Sequence, residues 1–127
     1  MAMNPLEQPM PDAHHTEVGG VAIDEVEAGA GHVKRIVYPP GWHWKTHMQP
    51  VTGGDFCQHG HVGMLVQGAM TVEYADGCRE QYRAPAVLAI PPGHDGWVDG
   101  GDPAILIQYD CGPETVSRLG LPAEHSH

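Results

Sequence analysis

The chain is 127 residues long and carries 16 acidic side chains against 6 basic ones, a formal charge of -10. That length bounds it to one domain, and the charge disfavours nucleic acid or an anionic lipid surface as partner. No run of 18 apolar residues is present, so no membrane-crossing helix is expected.

The first residues, MAMNPLEQPMPDAHHTE, lack the basic start and apolar centre of a secretory leader. The three cysteines, Cys57, Cys78 and Cys111, are an odd number at wide spacings, a poor disulfide framework. A reduced, cytoplasmic location is the expectation. Residues 1–17 are rich in proline and polar groups and read as a flexible arm, or as a strand that docks on a neighbour. His14 and His15 belong to that arm.

From residue 18 to 112 the signal is β. VAIDEVEAG alternates apolar and polar residues with period two, as a half-buried strand does. HVKRIVYPP repeats the pattern and stops at Pro39-Pro40. WHWKTHMQ reads as a third strand, with Trp42, Trp44, Thr46 and Met48 on one face and His43, Lys45, His47 and Gln49 on the other. VGMLVQG and AMTVEYADG follow, and Asp76-Gly77 is a hairpin signal leading into CREQYRAP. AVLAIPPG, DGWVDGG and AILIQYDCG complete eight or nine short strands. The 17 glycines and 12 prolines suit so many turns, and no helix is expected within this region. An antiparallel sandwich or barrel follows. The tail, residues 113–127, has room for one helical turn at TVSRLGL, and His125 and His127 are expected to dangle.

Chemistry concentrates in FCQHGHVGMLVQG, where Cys57, His59 and His61 fall within five residues and run into an apolar strand. These side chains are ligands for transition metals. Elsewhere the sequence has no G-x-S-x-G elbow, no phosphate loop and no C-x2-C pair. Its only serines, Ser117 and Ser126, lie in the tail. His43 stands four residues from His47, roughly 13 Å along an extended strand, too far to share an ion with it. Arg79 and Arg83 alternate on one strand, a pattern open to an anionic ligand, and read first as a solvated face.

Two anchors carry a family resemblance. Gly41 is followed by His47 and Gln49, and His61 is followed six residues later by Gly68. This resembles the first motif of the cupin superfamily, G-x5-H-x-H, a gap, then E-x6-G. APAVLAIPPGHDGW resembles the second, G-x5-P-x-G-x2-H. Residues 20 to 111 are similar to the cupin strand order, with a PPGHD-x-W signature of the small single-domain bacterial kind. The departures are specific. Gln49 stands where the second histidine is expected and His61 where the glutamate is expected. The gap between them holds Cys57 and His59. His94 directly follows the glycine of PPG, two places before the usual position at Gly96, and Ala84 or Pro85 replaces the opening glycine.

The resemblance implies an all-β, antiparallel jelly-roll barrel (a double-stranded β-helix). It implies a metal site drawn from His47, His61 and His94, with Cys57, His59 or Gln49 as a further ligand, Cys57 first. Leu65, Ile90 and Tyr109 are expected beside Gln49 as ligand-binding residues at the barrel mouth. The cofactor would be a divalent transition metal (Zn, Ni, Cu, Fe or Mn) acting on a small organic molecule by oxygenase, isomerase or lyase chemistry. Glu73 is the candidate general base. The competing expectation is a non-catalytic cupin that binds or senses a small molecule or a metal. A homodimer is expected with either activity.

Overall fold

A computed structural model describes residues 4–125; Ser126 and His127 lie outside the described residues. Among the described residues, nine strands form two antiparallel sheets. They are β1 (His14–Val18), β2 (Val21–Ala28), β3 (Gly31–Tyr38), β4 (His61–Gln67), β5 (Ala69–Tyr74), β6 (Arg79–Arg83), β7 (Ala86–Ile90), β8 (His94–Asp99) and β9 (Ala104–Asp110). The larger sheet has the order β1-β2-β3-β9-β4-β7, and the smaller one β6-β5-β8. β9, near the end of the chain, is inserted between β3 and β4, so the large sheet is knit from distant segments.

The period-two pattern turns one side of each strand toward a shared interior. Val21, Ile36, Leu65, Leu88, Ile90 and Leu106 face it from the large sheet, and Val72 from the small one. Leu65 has no exposed surface at all. Close approach of β4 and β9 requires glycine at position 63, because a Cβ there would be driven into the carbonyl oxygen of Ile107. Gly68 links β4 to β5 with φ of 81°, a left-handed conformation that favours glycine.

Three expectations change. Residues 42–49 are not a strand: Trp44–Met48 is a π-helical turn that runs into a short helix, α1 (Gln49–Thr52). Pro50 sits in the first turn of α1, where its missing N–H costs nothing, and Gly53 ends it at φ of 74°. Both indole rings are buried, so the tryptophan face turns inward and the histidine face outward, opposite to what alternation with an inward His47 requires. The segment 14–18 is strand β1, paired with β2 of its own chain, and His15 Nδ1 lies 2.8 Å from Asp24 Oδ1. In the tail, α2 (Thr115–Arg118) forms, and His125 does not dangle: its ring stacks on Tyr74 at 3.9 Å between centroids. The three cysteines are unpaired, as their spacing implied.

Candidate metal centre and chamber

The two sheets enclose a chamber of about 710 Å³. Its walls are apolar and aromatic: Ile36, Trp42, Trp44, Leu65, Met70 and Leu88 are among them. Polar groups gather at one place, where the start of β4 in the large sheet meets the start of β8 in the small one. His61 comes from the first and His94 from the second. Cys57 lies on the loop before β4 and is tied to His94 by an isolated β-bridge, with Cys57 N donating to His94 O at 2.8 Å. Ligand atoms of Cys57, His61 and His94 all lie within 4.8 Å of one another. Donors around a tetrahedral zinc-like ion stand roughly 3.3–3.8 Å apart, so closure needs a contraction of about 1.5 Å at most.

Each imidazole is held through its other nitrogen. His61 Nδ1 donates to Gln108 Oε1 at 2.8 Å, and His94 Nδ1 donates to the Pro91 carbonyl at 2.9 Å. Because both partners only accept, each Nε2 keeps its lone pair for a metal. Burial, with the neighbouring His94 and His59 rings adding to it, pushes the His61 pKa down to about 3. Burial likewise pushes His94 down to about 4. Both rings are therefore neutral at ordinary pH, the form that binds metal. Burial pushes the Cys57 thiol up, opposed by a hydrogen bond from the His59 backbone; loading an ion would release that proton. Two neutral nitrogens and one sulfur suit Zn, Ni, Cu or Fe better than Mg or Ca, which take oxygen ligands.

The other expected residues are distributed around this group. His59 is beside it, with its ring 5.2 Å from that of His61, but its Nε2 is bound to Asp110 Oδ2 at 2.9 Å. Asp110 is itself almost fully buried. Burial works against its charge, yet hydrogen bonds from His59, Lys34 and Thr115 outweigh that and hold its carboxyl well below the usual range. His47 stands apart on the exposed π-helical turn, its Nδ1 near the backbone of His43. Gln49 is half-buried, and its amide donates to Gly54 O at 2.7 Å, closing the loop at the chamber mouth. Leu65 and Ile90 line the chamber. Tyr109 lies on the other face of β9 and donates to Ala28 O. Glu73 is bound to Arg79 and does not face the chamber.

Sequence reasoning missed Gln108 and Tyr38. Gln108 is a buried amide within AILIQYD, and its polarity in an otherwise apolar strand was the available signal. Tyr38 lies on the chamber wall, 4.8 Å from the Trp42 ring, and burial with the nearby Cys57 raises its pKa, so it stays a neutral donor.

No family model and no curated protein matches the sequence. Solved structures do match. A Cupin 2 conserved barrel domain protein from Salinispora arenicola is 16% identical, with a TM-score of 0.59 over 94% of this chain and 98% of that one. An RmlC-like cupin from Shewanella frigidimarina is 18% identical, with a TM-score of 0.54 over 81% of this chain and 87% of that one. KdgF from Halomonas sp. is 19% identical, with a TM-score of 0.53 over 76% of this chain and 83% of that one. At such identities the likeness speaks to architecture. The chain has the fold of a small cupin barrel.

Proposed function

We propose that the protein holds one divalent transition metal at Cys57, His61 and His94 and acts there on a small, largely apolar organic molecule. The observation that supports this most is the convergence of two buried, neutral imidazoles on Cys57, each braced through Nδ1. A bound ion would supply Lewis-acid polarisation of a carbonyl or carboxylate oxygen, or activation of water or dioxygen, as in oxygenase, isomerase and lyase reactions. The chain's own residues do the rest. Trp42, Trp44, Met70 and Leu88 pack the apolar body of the ligand and exclude water. Tyr38 offers a neutral hydroxyl, and Gln108 fixes the His61 ring so that the metal-facing nitrogen does not wander.

One observation favours a second reading, a binding or sensing module. Among the described residues lining the chamber there is no aspartate or glutamate, so no carboxylate is placed as a general base. The test is elemental analysis of the purified chain beside His61→Ala, His94→Ala and His47→Ala. One transition-metal equivalent should vanish in the first two variants and persist in the third. A protein whose metal content is the same in wild type, His61→Ala and His94→Ala would sink the proposal. Metal retention without turnover across aromatic and aliphatic carbonyl substrates would favour the binding module.

A further inference from the structure

A second group of ligating side chains lies outside the chamber, where the β5–β6 turn meets the C-terminal tail. Ligand atoms of Asp76, Cys78 and His125 all lie within 4.8 Å of one another. The turn itself presets two of them: Asp76 Oδ1 accepts from the Cys78 backbone N–H at 2.8 Å, and Oδ2 is on the side of His125. His125 is brought in by packing, since its ring lies flat on Tyr74, 9° from parallel, and its side chain is only 15% exposed. Its Nε2 is 3.8 Å from Asp76 Oδ2, and its Nδ1 is 3.9 Å from Glu80 Oε1. The first is close to the roughly 3.3–3.8 Å between two donors on one tetrahedral ion.

We infer that Asp76, Cys78 and His125 form a second metal site, for a zinc-like divalent ion, that fastens the C-terminal tail to the β5–β6 turn. One sulfur, one imidazole and one carboxylate make the borderline-soft set that selects zinc or cobalt over magnesium and calcium. Glu80 stands at the rim, its other oxygen engaged by the Tyr82 hydroxyl. This site is separate from the chamber group. Tyr74 stands between them, stacked on His125 on one side and edge-on to His94 at 6.3 Å on the other.

The experiment is a Co²⁺ titration of the full chain, followed by absorbance and by bound metal per chain. Wild type should take up two equivalents. Cys78→Ser and His125→Ala should each lose one and keep the chamber ion, and Cys111→Ser should lose none. In Cys57→Ser a thiolate-to-cobalt charge-transfer band should remain, and adding Cys78→Ser should abolish it. Uptake by Cys78→Ser and His125→Ala equal to wild type would overturn the second site. A single equivalent that disappears with Cys78→Ser but survives Cys57→Ser and His94→Ala would uphold it while refuting the chamber ion, so the two proposals fail independently. His125 lies beyond the last strand, so His125→Ala leaves the barrel itself intact.

Discussion

Two sets of histidines divide the molecule. Three are tied to acids: His15 to Asp24, His43 to Asp95 and His59, on the chamber wall, to Asp110, all within 2.9 Å. Those on the chamber floor, His61 and His94, are tied to neutral acceptors, an amide and a peptide carbonyl. A carboxylate partner occupies a ring nitrogen and ties the side chain into the fold. A neutral acceptor in a buried place favours the uncharged ring and leaves a nitrogen free. At the chamber, the acceptor on the far nitrogen thus separates the acid-tied His59 from His61 and His94, which are fit to hold a metal.

The largest consequence concerns acid. The floor histidines are held near 3 and 4, below the ordinary 6.5. The unfolded chain therefore binds more protons between pH 6.5 and those values. The stability this gives is full above pH 6.5 and is lost as pH falls through 6.5 toward 4 and then 3. Asp24 adds a later loss. Burial opposes its charge, but hydrogen bonds from His15 and Arg35 outweigh it and hold its carboxyl below 3.8, so its contribution goes only as pH falls below that value. The metal-free protein should accordingly begin to unfold in chelator at mildly acidic pH, well before its carboxylates protonate. Circular dichroism against pH measures this, and His94→Gln, which removes one titrating group, should flatten the upper part of the curve. A flat stability profile from pH 7 to 4 would erase the distinction between floor and rim.

Next in size is the brace. Gln108→Leu keeps the volume of the strand residue but removes the acceptor of His61 Nδ1–H. Loss of such an outer partner costs typically about 10–100-fold in metal affinity. A competition titration with a coloured chelator should find zinc affinity lowered by that factor with the fold retained. Unchanged affinity would mean that burial alone, and not the acceptor, orients His61.

Much of this arrangement was legible in the sequence, and the reasons for the misses are physical. Period-two alternation found β2 through β9 because each has one face on the chamber and one away from it. It could not find β1, whose residues HHTEV have no apolar alternation and lie mostly exposed. It misjudged residues 44–52, where Pro50 and Gly53 were the helix signals and two tryptophans imitated a strand. On β9 the phase went wrong by one residue, which exchanged Tyr109 for Gln108 on the chamber face. Cys57, His61 and His94 were visible as residue types, but their convergence depends on β4 and β8 meeting across two sheets. No local pattern encodes that. The stacking of His125 on Tyr74 is likewise a contact between residues 51 apart in the chain.

The smallest effect tests the rim. His43 is bound to Asp95 at 2.7 Å and stacked on Trp97 at 5.0 Å, but its side chain is 39% exposed. Solvent screens such a pair, so its deletion should cost about 1 kcal/mol or less. His43→Ala removes the partner of Asp95 Oδ2 alone, since Oδ1 still accepts from the backbone N–H groups of Lys45 and Gly96. His94 is the next residue in the chain, yet its ring is set by the Pro91 carbonyl and by the bridge to Cys57, neither of which involves His43. His43→Ala should therefore lower the urea midpoint slightly, leave the denaturant slope unchanged, and bind as much metal as wild type. Loss of the chamber ion in a variant that remains folded would show that an acid-tied histidine shapes the floor through Asp95. The boundary between the two sets would then run through the backbone of β8.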